Sequence, residues 1–497
     1  MRPGRDRRLV TAALMLGMFL AALEATAVGT AMPTVVAELG GVARYSWVFS
    51  AYLLTSTTVV PMFGKLADLF GRRRIYVASA ILFMAGSMLC GVATSFEQLI
   101  GFRALQGLGA GGLMPVATTL IGDIYPLEER GKVQGLFSAV WGVSSLVGPA
   151  AGGLITDLLT WRWVFFLNVP FGIASVLMLQ IYLRERQPRR QHRLDLLGTV
   201  LLTGSVAVLL LTLLEGSQLF GWRDWRTLGL LGLSGLGILL FLLQERRAPE
   251  PMLPLDLFGN RVIAVSSAGS VVMGTILFCS TAFVPMFAQG VLGGTALDAG
   301  MTLAPMSIGW PLASTAAGWL LLRAGYRPLV ILGGVGGFAG VAMLATAGPS
   351  SPRAFLMVAM LVTGTGLGLM STPYLVAVQN AVAWERRGVA TSSVQFFRTI
   401  GGAVAVAALG AVLNTHLAEA APGLDPNVAL NPELRQQVPA AALSALRGAL
   451  AQGLHAVYLS GAAVAFLAVV VGLMFPRGSA RSQAHEARHP LAAEHER

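Results

Sequence analysis

The chain has 497 residues, of which 55% are hydrophobic and only 12% charged, and its formal net charge is +11. So much apolar surface exceeds what one water-facing core could bury, which excludes an ordinary soluble protein. The positive charge is distributed between apolar stretches, so it reads as a signal of membrane orientation rather than of a nucleic-acid partner.

A bilayer-crossing helix needs about twenty apolar residues. Fourteen such stretches follow one another: 9–36, 47–66, 75–93, 99–122, 134–158, 164–183, 196–214, 225–243, 262–288, 299–321, 329–347, 355–378, 389–413 and 454–475. The first carries Glu24 and has no small-residue cleavage site after Pro33, so a retained span is expected rather than a signal peptide. With fourteen spans, 26 Lys and Arg fall on one side, 7 on the other, and Arg103 and Arg398 lie within spans. The positive-inside rule then puts both termini in the cytoplasm, and an odd number of spans would break the pattern. Cys90 and Cys279 fall inside spans, where neither a disulfide framework nor a thiol metal site is expected. A Walker loop, a metal-spaced His cluster and a nucleophile elbow are missing from the sequence, so no cofactor, no metal and no enzymatic activity are expected.

Between the second and third stretches runs Gly64-Lys65-Leu66-Ala67-Asp68-Leu69-Phe70-Gly71-Arg72-Arg73-Arg74. Charges this dense cannot sit in hydrocarbon, so the turn is expected in the water or headgroup layer, with Asp68 and Arg72 free to pair with each other or with a neighbouring helix end. The segment resembles the signature loop of the major facilitator superfamily, although Leu69 stands where that family usually has a basic residue. A shift of 254 residues lays 318–327 over this loop, matching Gly64, Leu66, Gly71 and Arg73. A shift of 257 places Gly364, Gly366 and Gly368 over Gly107, Gly109 and Gly111, and Arg387-Gly388 over Arg130-Gly131. Parallel repeats of this kind mark two transporter halves closing on a central cavity. The expected division is a first six-helix half at 1–190, an inserted helix pair at 191–250, a second six-helix half at 251–476, and a disordered tail at 477–497. Together with 161–170 and 397–402, the pattern resembles the fourteen-span drug:proton antiporter family. The resemblance implies an all-α polytopic membrane protein of the major facilitator fold; outside the pattern of spans, the outer loop near 414–453 ends in an Ala/Leu-rich amphipathic stretch that could lie on the membrane surface.

Glu24 is the only acid deep in a span, and an unpaired carboxylate there is costly enough that function is the default reading. It could serve a proton and a cationic substrate alternately; the alternative is a structural salt bridge. Arg103 heads Arg103-Ala104-Leu105-Gln106-Gly107, which resembles the family's second motif, and needs an acceptor: Glu24, freed carbonyl oxygens or a transported anion. Glu24 and Arg103 are therefore the candidates for proton coupling, and an architectural arginine is the alternative. Arg398 raises the same question. Candidate substrate contacts are Glu24, Tyr52, Gln106, Trp141, Phe283, Tyr374 and Arg398. Asp123 and Arg130 could join Gly64, Asp68, Gly71 and Arg72 in an ionic latch, with Asp68 also facing the start of the thirteenth span near Val389. Such a latch would hold the outward-facing state; as a solvated cluster it would contribute little. In the fifth span Gly135, Gly148, Pro149, Gly152 and Gly153 resemble the exporter seam of the superfamily, with Ser144 in place of its central glycine.

The resemblance implies proton-coupled efflux of hydrophobic or cationic drugs across a bacterial cytoplasmic membrane by alternating access. The proton gradient is the expected driver, and a small-molecule substrate, protons and lipid are the expected partners of a monomer, with no nucleic acid and with any adaptor left open. Export of one endogenous metabolite, lipid or siderophore is the alternative, and a non-transporting receptor a more distant one.

Overall fold

A computed structural model describes residues 5–39, 45–183, 185, 195–219, 221, 224–249, 251, 253–420 and 439–477. Residues 421–438 of the outer segment near 414–453 and the tail after 477 lie outside the described residues, whereas 414–420 and 440–453 continue helices, with Leu446 and Leu450 buried in the protein rather than laid on a membrane surface. In chain order the α-helices are α1 (Arg5–Leu39), α2 (Tyr45–Thr58), α3 (Val60–Phe70), α4 (Arg72–Gly91), α5 (Phe96–Ile124), α6 (Leu127–Leu158), α7 (Arg162–Phe166) and α8 (Asn168–Tyr182). They continue as α9 (Leu196–Leu219), α10 (Trp225–Glu245), α11 (Arg261–Met286), α12 (Ala296–Ala324), α13 (Tyr326–Ala345), α14 (Arg353–Asn380), α15 (Arg387–Ala420) and α16 (Ala440–Met474).

Local chemistry sets where these helices start, stop and bend. Ser95 caps α5 by accepting from the Gln98 amide at 3.3 Å, and Thr295 with Asp298 forms a capping box on α12. Gly71, at φ 99°, separates α3 from α4, and Gly325, at φ 77°, separates α12 from α13. The two turn glycines are repeat partners, and both adopt a backbone that a side chain would strain. α2 and α3 meet at a 42° bend, where Pro61 in the first turn of α3 cannot donate a backbone hydrogen bond.

Among the described residues, ten helices are long and apolar enough to cross a bilayer, or eleven when α2 and α3 count as one bent span. Fourteen remains the expectation drawn from charge. On hydropathy α6 and α12 fall short because glycine, serine and threonine dilute their apolar residues, and α9 offers only Leu197–Leu213. Large apolar side chains such as Leu177, Ile181, Leu233, Leu236 and Leu473 are exposed, as lipid-facing residues of a multi-span membrane protein are.

The buried side chains gather in distinct cores. One is built from α1, α4, α5, α6 and α8, including Leu14, Tyr76, Phe83, Leu113 and Leu179. A second joins α11 to α16, including Ile276, Phe283, Leu329, Leu367, Tyr374 and Tyr458. A third sets Leu202, Val206 and Leu210 of α9 and Phe241 of α10 against Val60 of α3 and Val389, Phe396 and Ala403 of α15. The helices α1–α8 and α11–α16 are called below the first and second groups; α9 and α10 lean on one seam between them. Cys90 is buried in the first group and Cys279 in the second.

Candidate functional site: a buried ion pair and a two-part latch

Glu24 stands on α1 roughly 28 Å from Arg5 along the helix and is 1% exposed. Its Oε1 accepts from Arg103 Nη1 at 2.7 Å, across from α5. The same Nη1 reaches Gln106 Oε1 at 2.7 Å, Arg103 Nε donates to the Val48 carbonyl of α2 at 3.3 Å, and the guanidinium lies 4.2 Å from the centre of the Tyr52 ring. On the other side, Asn168 Nδ2 donates to Glu24 Oε2 and, at 2.9 Å, to Ser87 Oγ, whose hydroxyl donates to the Phe165 carbonyl. One carboxylate thus ties together α1, α2, α4, α5 and α8. A charge buried so deeply is tolerable because its partner and the surrounding donors replace the lost water. Asn168 is the member that sequence reasoning missed; a lone amide in the apolar run 161–170 was the available signal.

Two charged residues of the 64–74 loop are buried, not solvated: Asp68 is 9% exposed and Arg72 1%, while Arg74 stays exposed. The helices close over this turn and supply partners in place of water. Asp68 Oδ1 pairs with Arg72 Nη2 at 2.8 Å and accepts from the Gly388 amide at 2.9 Å, while Oδ2 accepts from the Val389 amide at 2.9 Å. The anion therefore occupies the N-terminus of α15, where free amides and the helix dipole favour negative charge. Arg72 also contacts Asp123 at 2.9 Å, donates to the Trp384 carbonyl at 2.6 Å and lies 4.0 Å from the centre of that indole. Asp123 takes a second cation, Arg387, at 3.1 Å. Glu185 accepts from the Arg72 and Arg73 amides at 2.9 Å each, holding the start of α4. Arg130 goes elsewhere. Its Nε donates to the Tyr125 carbonyl at 3.0 Å and its Nη1 to Asn380 Oδ1 at 2.6 Å, and Asn380 in turn donates to Tyr326 Oη at 3.0 Å.

The repeat makes sense of that difference. Asp123 and Asn380 are 257 apart, as are Arg130 and Arg387, while Arg72 and Tyr326 are 254 apart. The contacts Arg387 to Asp123 and Arg72 to Asp123 on one seam thus recur as Arg130 to Asn380 and Tyr326 to Asn380 on the other. The first seam pairs acids with arginines, whereas its copy sets cations against neutral groups, Arg130 on Asn380 and Lys132 over the Trp319 ring at 5.3 Å. Backbone packing follows the same pairing. A Cβ on Gly64 would lie 2.8 Å from the Gly388 carbonyl, and one on Gly131 would lie 1.9 Å from Gly318 Cα.

Along the second seam, a Cβ on Gly135 would fall 1.7 Å from Thr315 Oγ1 and one on Gly142 2.6 Å from the Ser307 carbonyl. Gly148 and Gly152 are buried, whereas Gly153 of α6 and Gly300 of α12 face open space. Gly153 therefore lies beyond the close helix contact. Pro149 lies within α6, and its side chain falls outside the described residues. The side-chain bonds between the two groups gather at the end carrying the basic loops. At the far end of α1 Glu38 accepts from Arg162 at 2.6 Å and from Trp161 at 2.7 Å. These bonds hold its carboxyl below the ordinary value and lock helices within the first group only.

The remaining candidates separate clearly. Gln106 is buried against Arg103, and Tyr52 is half-buried beneath it. Phe283 and Tyr374 are core residues of the second group, and Tyr374 packs on Phe475 with ring centroids 6.2 Å apart. Trp141 is 38% exposed on α6. Arg398, half-buried on α15, donates to Gln395 Oε1 at 2.7 Å.

Asp68 carries charge-assisted bonds to Arg72 and to two amides of the opposite group, each worth about 1.5–3 kcal/mol. Asp68→Asn is expected to slow transport about tenfold or more without impairing membrane insertion. Transport rates in vesicles carrying matched amounts of each protein measure this, and an unchanged rate would show that the seam holds without that charge.

A sequence profile described as Major Facilitator Superfamily matches residues 14–406. The chain is 41% identical over 408 residues to the multidrug transporter protein MdtP of Bacillus subtilis (strain 168), covering 82% of this chain and 75% of that protein. It is 32% identical over 494 residues to multidrug resistance protein 3 of the same organism, covering 96% of both. Among solved structures, the proton:xylose symporter XylE superposes with a TM-score of 0.63 over 96% of this chain and 97% of its own, at 14% identity, a likeness of fold.

Proposed function

The chain belongs to the major facilitator superfamily, and from that premise we propose that it exports hydrophobic drugs and other toxic compounds across a bacterial cytoplasmic membrane in exchange for protons. The similarity to multidrug transporters supports the substrate class. The observation that carries proton exchange is the Glu24 to Arg103 pair, the one ion pair among the described residues that sits deep in a span. Protonating Glu24 removes the charge that holds Arg103 and loosens a junction of five helices, so a proton acquires a conformational consequence. With the basic end cytoplasmic, the two seams close the inner mouth, as an outward-facing state requires. Return to the inward-facing state requires both seams to open, and the one that pairs acids with arginines costs more than its copy because Asp68, Arg72 and Asp123 must find new partners.

Inverted vesicles provide the test. An inside-acid gradient is expected to drive uptake of a fluorescent drug into vesicles containing the protein, and an uncoupler is expected to reduce that uptake to the level of protein-free vesicles. Uptake that persists after the gradient is collapsed would sink proton exchange.

A further inference from the structure

We propose that Arg398, steadied by Gln395, is the recognition point for an anionic group on the exported compound. This rests on the export reading and narrows its substrate class to amphiphiles bearing a sulfonate, carboxylate or comparable anion. The helical wheel of α15 carries the argument. Phe396, Phe397, Ile400 and Ala403 line the face that joins the cluster of α9 and α10. Thr391, Gln395 and Arg398 share the opposite face, where Gln379 of α14 approaches the Thr391 hydroxyl. Arg398 therefore points into the molecule, away from the inserted pair, and lies roughly 16 Å along α15 from Arg387. A guanidinium at that depth is costly unless it is paired or lines a watery path. Among the described residues its hydrogen-bond partner is a neutral amide, and no carboxylate lies within ion-pair distance of it.

The neighbouring acids are already matched. Glu24 is neutralised by Arg103, and Asp68 and Asp123 by Arg72 and Arg387. This face of α15 thus carries the positive charge of Arg398 with no carboxylate paired to it, and among the described residues no buried acid is left for a cation. A planar guanidinium with free N–H groups suits a bidentate oxyanion, and Gln395 can turn its amide to donate as well.

Three probes sharing one fluorophore separate the possibilities: 5-dimethylaminonaphthalene-1-sulfonate, its neutral sulfonamide, and dansylcholine. Binding is measured by fluorescence to the full chain in nanodiscs of neutral lipid. The sulfonate is expected to bind about tenfold or more tightly than dansylcholine. Arg398→Gln is expected to erase that preference by weakening the sulfonate far more than the sulfonamide, and Arg398→Lys to restore part of it. Tighter binding of dansylcholine, or equal weakening of all three probes in Arg398→Gln, would overturn the proposal. Because binding is read without transport, a wild type that prefers the sulfonate but moves none of the probes under a pH gradient would refute export while leaving the anion site standing.

Discussion

Glu24→Gln is expected to abolish efflux driven by a pH gradient, whereas Glu24→Asp retains part of it because a titratable carboxyl survives on a shorter arm. The geometry defines the confounding effect and its control. Gln leaves Arg103 buried beside Gln106, the Val48 carbonyl and Tyr52 but without its anion, and removing one partner of a buried pair costs about 3–5 kcal/mol. Some loss of thermal stability is therefore expected from Glu24→Gln alone. The double variant Glu24→Gln/Arg103→Gln removes both charges and is expected to regain much of that stability without regaining transport. Proton release on adding substrate to the detergent-purified protein reads coupling separately from fold. Equal release from wild type and Glu24→Gln would remove Glu24 as the coupling site and turn attention to Asp68 and Asp123.

Gly131→Val is expected to force open the basic end of the molecule. A Cβ at Gly131 would sit 1.9 Å from Gly318 Cα, and because the obstacle is backbone, the helices α6 and α12 must separate rather than a side chain turn aside. Overpacking of this kind costs about 1–3 kcal/mol, enough to move a two-state equilibrium by about tenfold or more toward the state in which the seam is open. The cost falls on the closed conformation alone, so the fold should persist while cycling stops. A reporter Ser392→Cys, at a position now fully buried beside Gly64 on the other seam, is expected to react with a membrane-impermeant thiol reagent at least about tenfold faster in the Gly131→Val background. An unchanged labelling rate with lost transport would show that Gly131 serves packing within one state and not the opening of both seams.

Much of this protein was determined by its sequence alone. The spacing of apolar stretches dictates a polytopic helical protein, because unpaired backbone groups cannot be left in hydrocarbon. The rarity of acids within spans singled out Glu24, and the 254- and 257-residue shifts exposed the repeat, because both signals are carried by composition and order along the chain. The likeness of the 64–74 loop to a family motif pointed to Asp68 and to the start of the thirteenth span. What surrounds these residues depended on tertiary structure, since partners more than a hundred residues apart leave no local periodicity. Asn168 reaches Glu24, and Trp384 and Arg387 reach the latch, only because helices remote in sequence pack side by side. Tyr374 and Phe283, indistinguishable from cavity aromatics by composition, became core residues once α11, α14 and α16 closed around them. Arg130 parted from the charged latch for a geometric reason. The pseudo-twofold arrangement sends it to Asn380, the repeat partner of Asp123, so that two arginines equivalent in sequence meet a carboxylate on one seam and an amide on the other.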